Sequence, residues 1–241
     1  PGQSGSGPNV VRLATPHGWL LTRILVDGPD DLAAVHKLQD ALTLTGPKGV
    51  APPVFAARGA PALEFFASVA SLLKANPPPA TDGALFARVA PLGLTAQGGF
   101  DPKRFDAAAQ AEIEAGVAEA RRIMQGLRAG GAVQGWSYPR GTLGDFNQDY
   151  VFRAAVALSG LAALPPAEAM YMQPAADRGR MFVGEGPFRL SFPAGQHPAV
   201  DAFWSLTMYQ ATPDGQFFLV DNPIGRYSIG DRTPGLKTNA D

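Results

Sequence analysis

The sequence predicts a mixed α+β protein, with helical segments followed by a β-sandwich or jelly-roll region at the C-terminal end. Two observations predict this class. Apolar residues recur at helical spacing in four segments between residues 28 and 164. After residue 168, short alternating apolar segments are separated by turn residues, which is typical of a sandwich or jelly roll.

Composition excludes several classes of function. The chain has 20 Lys and Arg against 21 Asp and Glu, and this balance argues against a surface that binds nucleic acid or anionic lipid. It has no Cys, which excludes disulfides, zinc-thiolate sites, iron–sulfur clusters and thiol catalysis. No apolar run approaches 18 residues, so no transmembrane segment is predicted. No cofactor is predicted either.

Strand and helix signals alternate in the N-terminal part of the chain. Val10–Leu13 and Trp19–Val26 are predicted strands around a turn at residues 15–18. Gly28-Pro29-Asp30-Asp31 then opens a helix, because acidic residues stabilise the positive end of the helix dipole. Gly46-Pro47 ends this helix. Its predicted buried stripe consists of Leu32, Val35, Leu38 and Leu42.

Three further helices are predicted. Pro61–Lys74 is stopped by the prolines after Asn76, and residues 47–61 before it are predicted to be irregular. A third helix begins at or shortly after Asp101-Pro102 and runs to about residue 128. The apolar residues of this third helix are predicted to lie on one face; they are Ile113, Val117, Ala120, Met124 and Leu127. Asn147 or Asp149 caps a fourth helix, which runs to about Leu164 before Pro165-Pro166.

Short strands follow the last helix. Ala169–Gln173, Phe188–Phe192 and Phe203–Tyr209 are predicted strands. Thr212-Pro213-Asp214-Gly215 is a predicted turn, because Pro presets its own φ and Gly tolerates a positive one. Gln216–Val220 is therefore predicted to return as the partner strand of a hairpin.

Signatures of well-known catalytic sites are absent from the sequence. His17, His36 and His197 lie too far apart to provide ligands from one helix face. No nucleophile elbow and no phosphate-binding loop is present. The Gly184–Gly186 string begins like a dinucleotide-binding motif, but Arg189 stands where the third Gly is needed, so we interpret it as a turn.

A weak calcium motif lies before the fourth helix. Asp145, Asn147 and Asp149 have the spacing that begins a calcium loop. Tyr150 stands where such a loop needs Gly, and Val156 stands where it needs an acid. Helix capping is therefore the preferred interpretation of the three residues, and no metal is predicted beyond these candidates.

A cluster in the C-terminal third combines flat aromatic rings with an amide and a guanidinium, which suits a sugar or another polar ring. The predicted ligand-binding residues are Trp204, Tyr209, Asn222, Arg226 and Tyr227. In the alternative interpretation, Trp204 is a core residue and Asn222-Pro223 is a turn. Arg226 then pairs with a buried carboxylate such as Asp201 or Asp221.

Longer strings resemble a known family. Phe203–Tyr209 and Val220–Gly230 closely resemble the C-terminal domain of bacterial proteins that pair the domain of unknown function 1254 with the domain of unknown function 1214. Residues 19–32 resemble the end of the N-terminal domain, and Tyr150–Ala155 resembles the helix that enters the second domain. The resemblance covers nearly the whole chain in order.

The resemblance implies two β-rich domains joined by helices, with a jelly roll as the second. Residues 1–45 would be the end of the N-terminal β domain, 46–135 a mostly helical connection, and 136–241 a truncated jelly roll. The family's Asn-Arg-Asp-Thr-Leu-Tyr-like and Asn-Trp-Leu-Pro strings are missing, and the chain opens at Pro1, so we expect a piece of a longer protein. Family export signals imply the periplasm or cell envelope, with the cytoplasm as the alternative.

Two functions are compatible with these observations. The favoured one is a non-catalytic binding or structural role, in which the jelly roll binds a glycan or a protein. The partner could also be the missing segments of the parent chain or another copy. The alternative is a hydrolase of carbohydrate or amide bonds, with Asp201 and Asp221 as the acid and base. The family offers no agreed catalytic residues to transfer.

Overall fold

The computed structural model divides the chain into two compact units, Pro1–Arg180 and Met181–Asp241. Predictions that involve His17, Gly184 and the Asp214-Gly215 turn lie outside the described residues. The structure describes residues 5–11, 13, 18–46, 51, 54–127, 132–133, 135–174, 186, 188–213, 216–237 and 239.

Helices dominate the described part of the N-terminal unit. The α-helices are α1 (Leu32–Ala41), α2 (Ala62–Ala75), α3 (Gly83–Val89), α4 (Ala107–Gly126) and α5 (Tyr150–Ser159). Short 3₁₀ turns lie at Pro29–Asp31, Ala80–Asp82, Ala90–Leu92 and Pro102–Arg104. Together with the short antiparallel strands described below, these helices confirm the mixed α+β class.

The prediction of α2 is confirmed to within one residue at each end, because prolines delimit this helix. α4 begins at Ala107, after the 3₁₀ turn that follows Asp101-Pro102. Asp106 caps α4, since its side chain accepts a hydrogen bond from the Ala109 N–H at 2.9 Å. α3 was not predicted, because seven residues are too few to show a helical period.

The described part of the first 46 residues differs from its prediction. Val35 of α1 is buried, but Leu38 and Leu42 remain more than half exposed, and the helix ends at Ala41 rather than at Gly46. The strand predicted at Trp19–Val26 is not formed, and the described residues of Val10–Leu13 form none either. A strand requires a neighbour for its backbone hydrogen bonds, and no described strand lies beside these segments.

One buried hydrophobic cluster of the N-terminal unit forms around α5. Phe152 is completely buried and packs with Leu143 and Val156. The ring of Phe146 meets that of Phe152 edge-on, with 5.2 Å between their centroids. α5 ends at Ser159, five residues before the predicted end, since Gly160 interrupts the apolar segment.

A chain of five phenylalanine rings ties α2 to the turn before α4. Successive centroids lie 5.3–5.8 Å apart along the series, and two of the four contacts are edge-on. These spacings are those of favourable aromatic pairs. The rings belong to Phe55, Phe65, Phe66, Phe100 and Phe105.

A small antiparallel sheet completes the described N-terminal unit. β1 (Ala132–Val133) pairs with β2 (Trp136–Ser137), which pairs with β3 (Gln173–Pro174). The strand predicted at residues 169–173 is therefore formed only at Gln173. None of the described helices is both long and apolar enough to cross a bilayer.

The described residues of the C-terminal unit form two antiparallel strand pairs. β4 (Ser205–Thr207) pairs with β7 (Ser228–Gly230), and β5 (Tyr209–Ala211) pairs with β6 (Phe217–Leu219). The predicted antiparallel pairing of the strands on either side of residues 212–215 is confirmed, whereas Asp214 and Gly215 themselves lie outside the described residues. The strand predicted at residues 203–209 instead divides at Met208 between two partners, and the strand predicted at residues 188–192 is not formed. The jelly roll is not confirmed.

The C-terminal unit buries little of its apolar surface. Gly230 is the single buried residue among those described in this unit. It lies so close to β4 that a Cβ atom there would collide with the Trp204 carbonyl oxygen. The aromatic and aliphatic side chains of β4, β5 and β6 are largely exposed instead.

Candidate functional site

The loop between β6 and β7 is organised by one asparagine. The Asn222 side-chain amide donates to the carbonyl oxygens of Val220 at 3.2 Å and Arg226 at 3.0 Å. Its oxygen accepts the Arg226 N–H at 2.9 Å, and the Gly225 N–H donates to the Asn222 carbonyl at 3.1 Å. Asn222 therefore closes its own loop, as the alternative turn interpretation predicted.

The predicted aromatic cluster is only partly brought together. The Tyr227 hydroxyl donates to the Asp221 carboxylate at 3.3 Å within the same loop. The half-buried Trp204 ring meets Phe192 edge-on at 5.7 Å. Tyr209 stays 54% exposed on β5.

The charged candidates of this unit lie at its surface. Within the described chain, Arg226 makes no ion pair with a carboxylate, so neither pairing predicted for it is formed. The side chains of Asp201 and Asp221 are both exposed. Their role as an acid–base pair stays a prediction. His197 is exposed and lies 6.3 Å from the Phe192 ring, whereas His36 lies on the exposed side of α1.

The three calcium candidates lie immediately before α5. One oxygen of Asp149 accepts the Phe152 N–H at 3.0 Å, which confirms Asp149 as the helix cap. The other oxygen lies 3.4 Å from the Arg140 guanidinium. Asn147 adopts a positive φ of 47° and donates weakly to the Asp145 carbonyl at 3.4 Å. Among the described residues, no three His, Asp or Glu side chains form a group that could hold a metal ion.

A second polar cluster in the N-terminal unit was missed at the sequence level. The Asp82 carboxylate is 5% exposed and accepts the Tyr150 hydroxyl at 2.9 Å. The Arg153 guanidinium lies 5.1 Å from the centre of the Tyr150 ring. Gln148 strengthens the same junction by donating to the Thr81 carbonyl at 3.1 Å.

The environment of Tyr150 raises the pKa of its hydroxyl. Burial disfavours the phenolate, and the hydrogen bond to Asp82 stabilises the protonated form. The negative charge of Asp82 raises the pKa further, while the nearby positive charge of Arg153 opposes this rise. Tyr150 therefore acts as a hydrogen-bond donor that joins two helical segments 68 positions apart.

Comparisons with known sequence families give one match at each end of the chain. The sequence profile described as Protein of unknown function (DUF1254) matches residues 1–46, and that described as Protein of unknown function (DUF1214) matches residues 168–241. The chain has the DUF1254–DUF1214 architecture. No curated protein and no solved structure gives a significant match.

The DUF1214 match contains the Asn222 loop and the four strands described in the C-terminal unit. The helices that carry the Asp82–Tyr150 junction lie between the two matches. Sequence reasoning identified Tyr150 within a family-like string, but it offered no signal for Asp82. That residue looks like an ordinary helix start, and no local spacing connects it to α5.

Proposed function

We propose that this chain is a non-catalytic binding protein whose C-terminal unit docks a protein partner through the apolar side chains of its strands. The proposal rests on the solvent exposure of β6. The exposed fractions of Phe217, Phe218 and Leu219 are 59%, 54% and 48%. Successive strand residues point to opposite faces, so both faces of β6 present apolar side chains to solvent. Contiguous exposed apolar surface is typical of interaction sites.

A protein partner explains this surface better than a glycan does. Small polar ligands bind in concave sites that contain a few accurately placed polar groups. The Asn222 amide already bonds to its own loop, and Trp204 packs against Phe192. Exposed aromatic side chains on strands suit a protein interface instead, where such residues contribute much of the binding energy.

The same exposure supports the jelly-roll or sandwich architecture predicted for this region. Each sheet of a sandwich buries one face against a second sheet about 10 Å away. We propose that the partner adds strands to the β5–β6 pair and so extends it toward the size of one sheet of a sandwich. We also propose a periplasmic or cell-envelope location, which the family resemblance supports. Cell fractionation tests this location, and recovery with cytoplasmic markers would contradict it.

Thermal-shift measurements on the whole chain test the binding function. The panel contains envelope glycans, uncharged extended peptides, and calcium with a chelator control, and each compound is analysed for consumption. We expect a peptide to raise the melting temperature and to be recovered unchanged. A ligand at 100 times its Kd stabilises the folded state by about 2.7 kcal/mol, which produces a measurable shift.

Two variants identify the surface to which the peptide binds. Phe218→Lys should abolish the shift caused by the peptide, whereas Trp204→Ala should retain it. A glycan shift that Trp204→Ala abolishes would replace the protein partner with a sugar. A consumed compound would favour the hydrolase, and Asp201→Asn and Asp221→Asn would then test its proposed acid and base.

A further inference from the structure

We infer that the partner of the C-terminal unit is a second copy of this chain, joined through the outer edge of β6. This inference rests on the proposed binding function and names the partner. The two hairpins would form a four-stranded antiparallel sheet, with the two β6 strands at its centre. Isolated two-stranded hairpins are marginally stable in water, so this pairing supplies the additional strands that stability requires.

The register of the hairpin determines which backbone groups face outward. The Thr212 N–H donates to the Gln216 carbonyl at 2.9 Å, and hydrogen-bonded pairs recur at every second position of an antiparallel ladder. The next such pair is Gln210 with Phe218. The backbone groups of Phe217 and Leu219 therefore point away from β5, toward an edge that pairs with no strand in the described part of the chain.

This edge can pair with itself about a twofold axis. An axis that passes beside Phe218 places Phe217 opposite Leu219 of the second copy, and both pairs are hydrogen-bonded. Phe218 then faces Phe218 of the second copy in a non-hydrogen-bonded pair, where Cα atoms lie about 4.5 Å apart. The closed, isologous arrangement forms a dimer and limits further growth at this edge.

The chemistry of the edge favours its own copy over a charged strand. Residues 216–220 contain no charge and no Pro, so the edge lacks the Lys, Pro or inward charge that commonly prevents pairing. Its apolar side chains match the same side chains of a second copy. A partner strand with charged residues at these positions would lose water around them without gaining an opposite charge.

The available area predicts a weak and reversible dimer. Phe217, Phe218 and Leu219 are each about half exposed. Each therefore offers roughly 100 Å² for burial, or about 600 Å² for two copies. A standard stable interface buries about 1,600 Å², so we expect association in the micromolar range or weaker.

Site-specific crosslinking tests the twofold axis in the whole chain. The protein has no Cys, so a single introduced thiol can react only with that of another copy. Phe218→Cys places two thiols across the axis, at a Cα separation that suits a disulfide. Tyr209→Cys is the matched control, because Tyr209 and Phe218 are both 54% exposed. We expect Phe218→Cys to form at least ten times more crosslinked dimer than this control.

Sedimentation equilibrium of the unmodified chain provides the second measurement. The average mass should rise with concentration from 25.2 kDa toward twice that value, and Phe218→Lys should remain monomeric. Equal crosslinking of the two cysteine variants, or a constant mass of 25.2 kDa for the unmodified chain, would overturn the inference. A constant mass together with an unrelated peptide that binds would leave the proposed function intact and reject only the second copy.

Discussion

At the residue scale, the contact between Asp82 and Tyr150 joins two helical segments. The carboxylate is nearly inaccessible to water, and the hydroxyl of Tyr150 donates to it. A buried carboxylate that loses its donor retains the cost of desolvation without compensation. Arg153 lies over the Tyr150 ring, and its positive charge opposes the rise in the pKa of this hydroxyl.

Tyr150→Phe should lower the urea midpoint of unfolding at pH 7, because the substitution removes the hydroxyl and preserves the ring. Tyr171→Phe is the control, since Tyr171 lies in the same unit and is 64% exposed. Equal midpoints for the two variants would show that the hydrogen bond to Asp82 contributes nothing to stability.

The raised pKa of Tyr150 also predicts a pH dependence. The folded-state pKa lies above the unfolded value of about 10, so the contribution to stability is complete below pH 10. It is lost as the pH rises through the folded-state pKa. Urea midpoints measured from pH 8 to pH 11.5 should fall more steeply for the unmodified chain than for Tyr150→Phe. Parallel pH profiles would contradict this prediction.

Gly230→Ala should disrupt the pairing of β4 with β7. The added Cβ would collide with the Trp204 carbonyl and lie 3.2 Å from the Ser205 Cα, and neither backbone atom can move freely. We expect a loss of about 1–3 kcal/mol, as for other overpacked sites. Gly186→Ala is the control, because no described atom beyond its chain neighbours lies within 4 Å of its added Cβ. Hydrogen exchange at residues 205–207 and 228–230 measures the effect.

At the element scale, a side chain of α4 caps the N-terminus of α2. The Glu114 carboxylate accepts the Ala62 N–H at 2.5 Å, and this donor is one of those that the first turn of a helix leaves unpaired. The residue before α2 is Pro61, whose side chain cannot act as a cap. The cap therefore comes from a residue 52 positions away rather than from the adjacent chain.

Glu114→Ala should destabilise the N-terminal unit by about 1 kcal/mol, which is typical for the loss of a helix cap. Glu112→Ala is the matched control on the same helix, since both residues are exposed Glu side chains. Thermal unfolding followed by circular dichroism measures the difference. Identical unfolding curves for the two variants would show that the long-range cap does not contribute to stability.

At the whole-molecule scale, buried apolar side chains are distributed unevenly. All buried hydrophobic residues of the described chain lie between residues 35 and 156. The C-terminal unit has two short strand pairs and buries only Gly230 among its described residues. Because hydrophobic burial is the main favourable contribution to folding, the two units should differ in their stability in isolation.

A polypeptide of residues 1–180 should unfold cooperatively on heating, whereas residues 181–241 alone should show no cooperative transition at low concentration. Differential scanning calorimetry of the two pieces tests this difference. A cooperative transition of the C-terminal piece that does not depend on its concentration would contradict the prediction. It would show that the strand pairs are stable without a covering surface.

Local signals were sufficient for several parts of the structure. Prolines delimit α2, Asp149 caps α5, and the strand predicted to return after residue 215 pairs with β5. Each depends on neighbours in the sequence, so the physical cause is visible in one dimension. The strands predicted at residues 19–26 and 188–192 were wrong, since alternation alone cannot provide a partner edge.

The sequence by itself determined the mixed α+β class and the order of the two family regions. These properties depend on composition and on strings of consecutive residues. Only the tertiary structure decided that Tyr150 meets Asp82, that Glu114 caps α2, and that β6 leaves an outer edge. The physical reason is that burial and hydrogen bonding between distant residues depend on how the chain packs, and no local spacing records that packing.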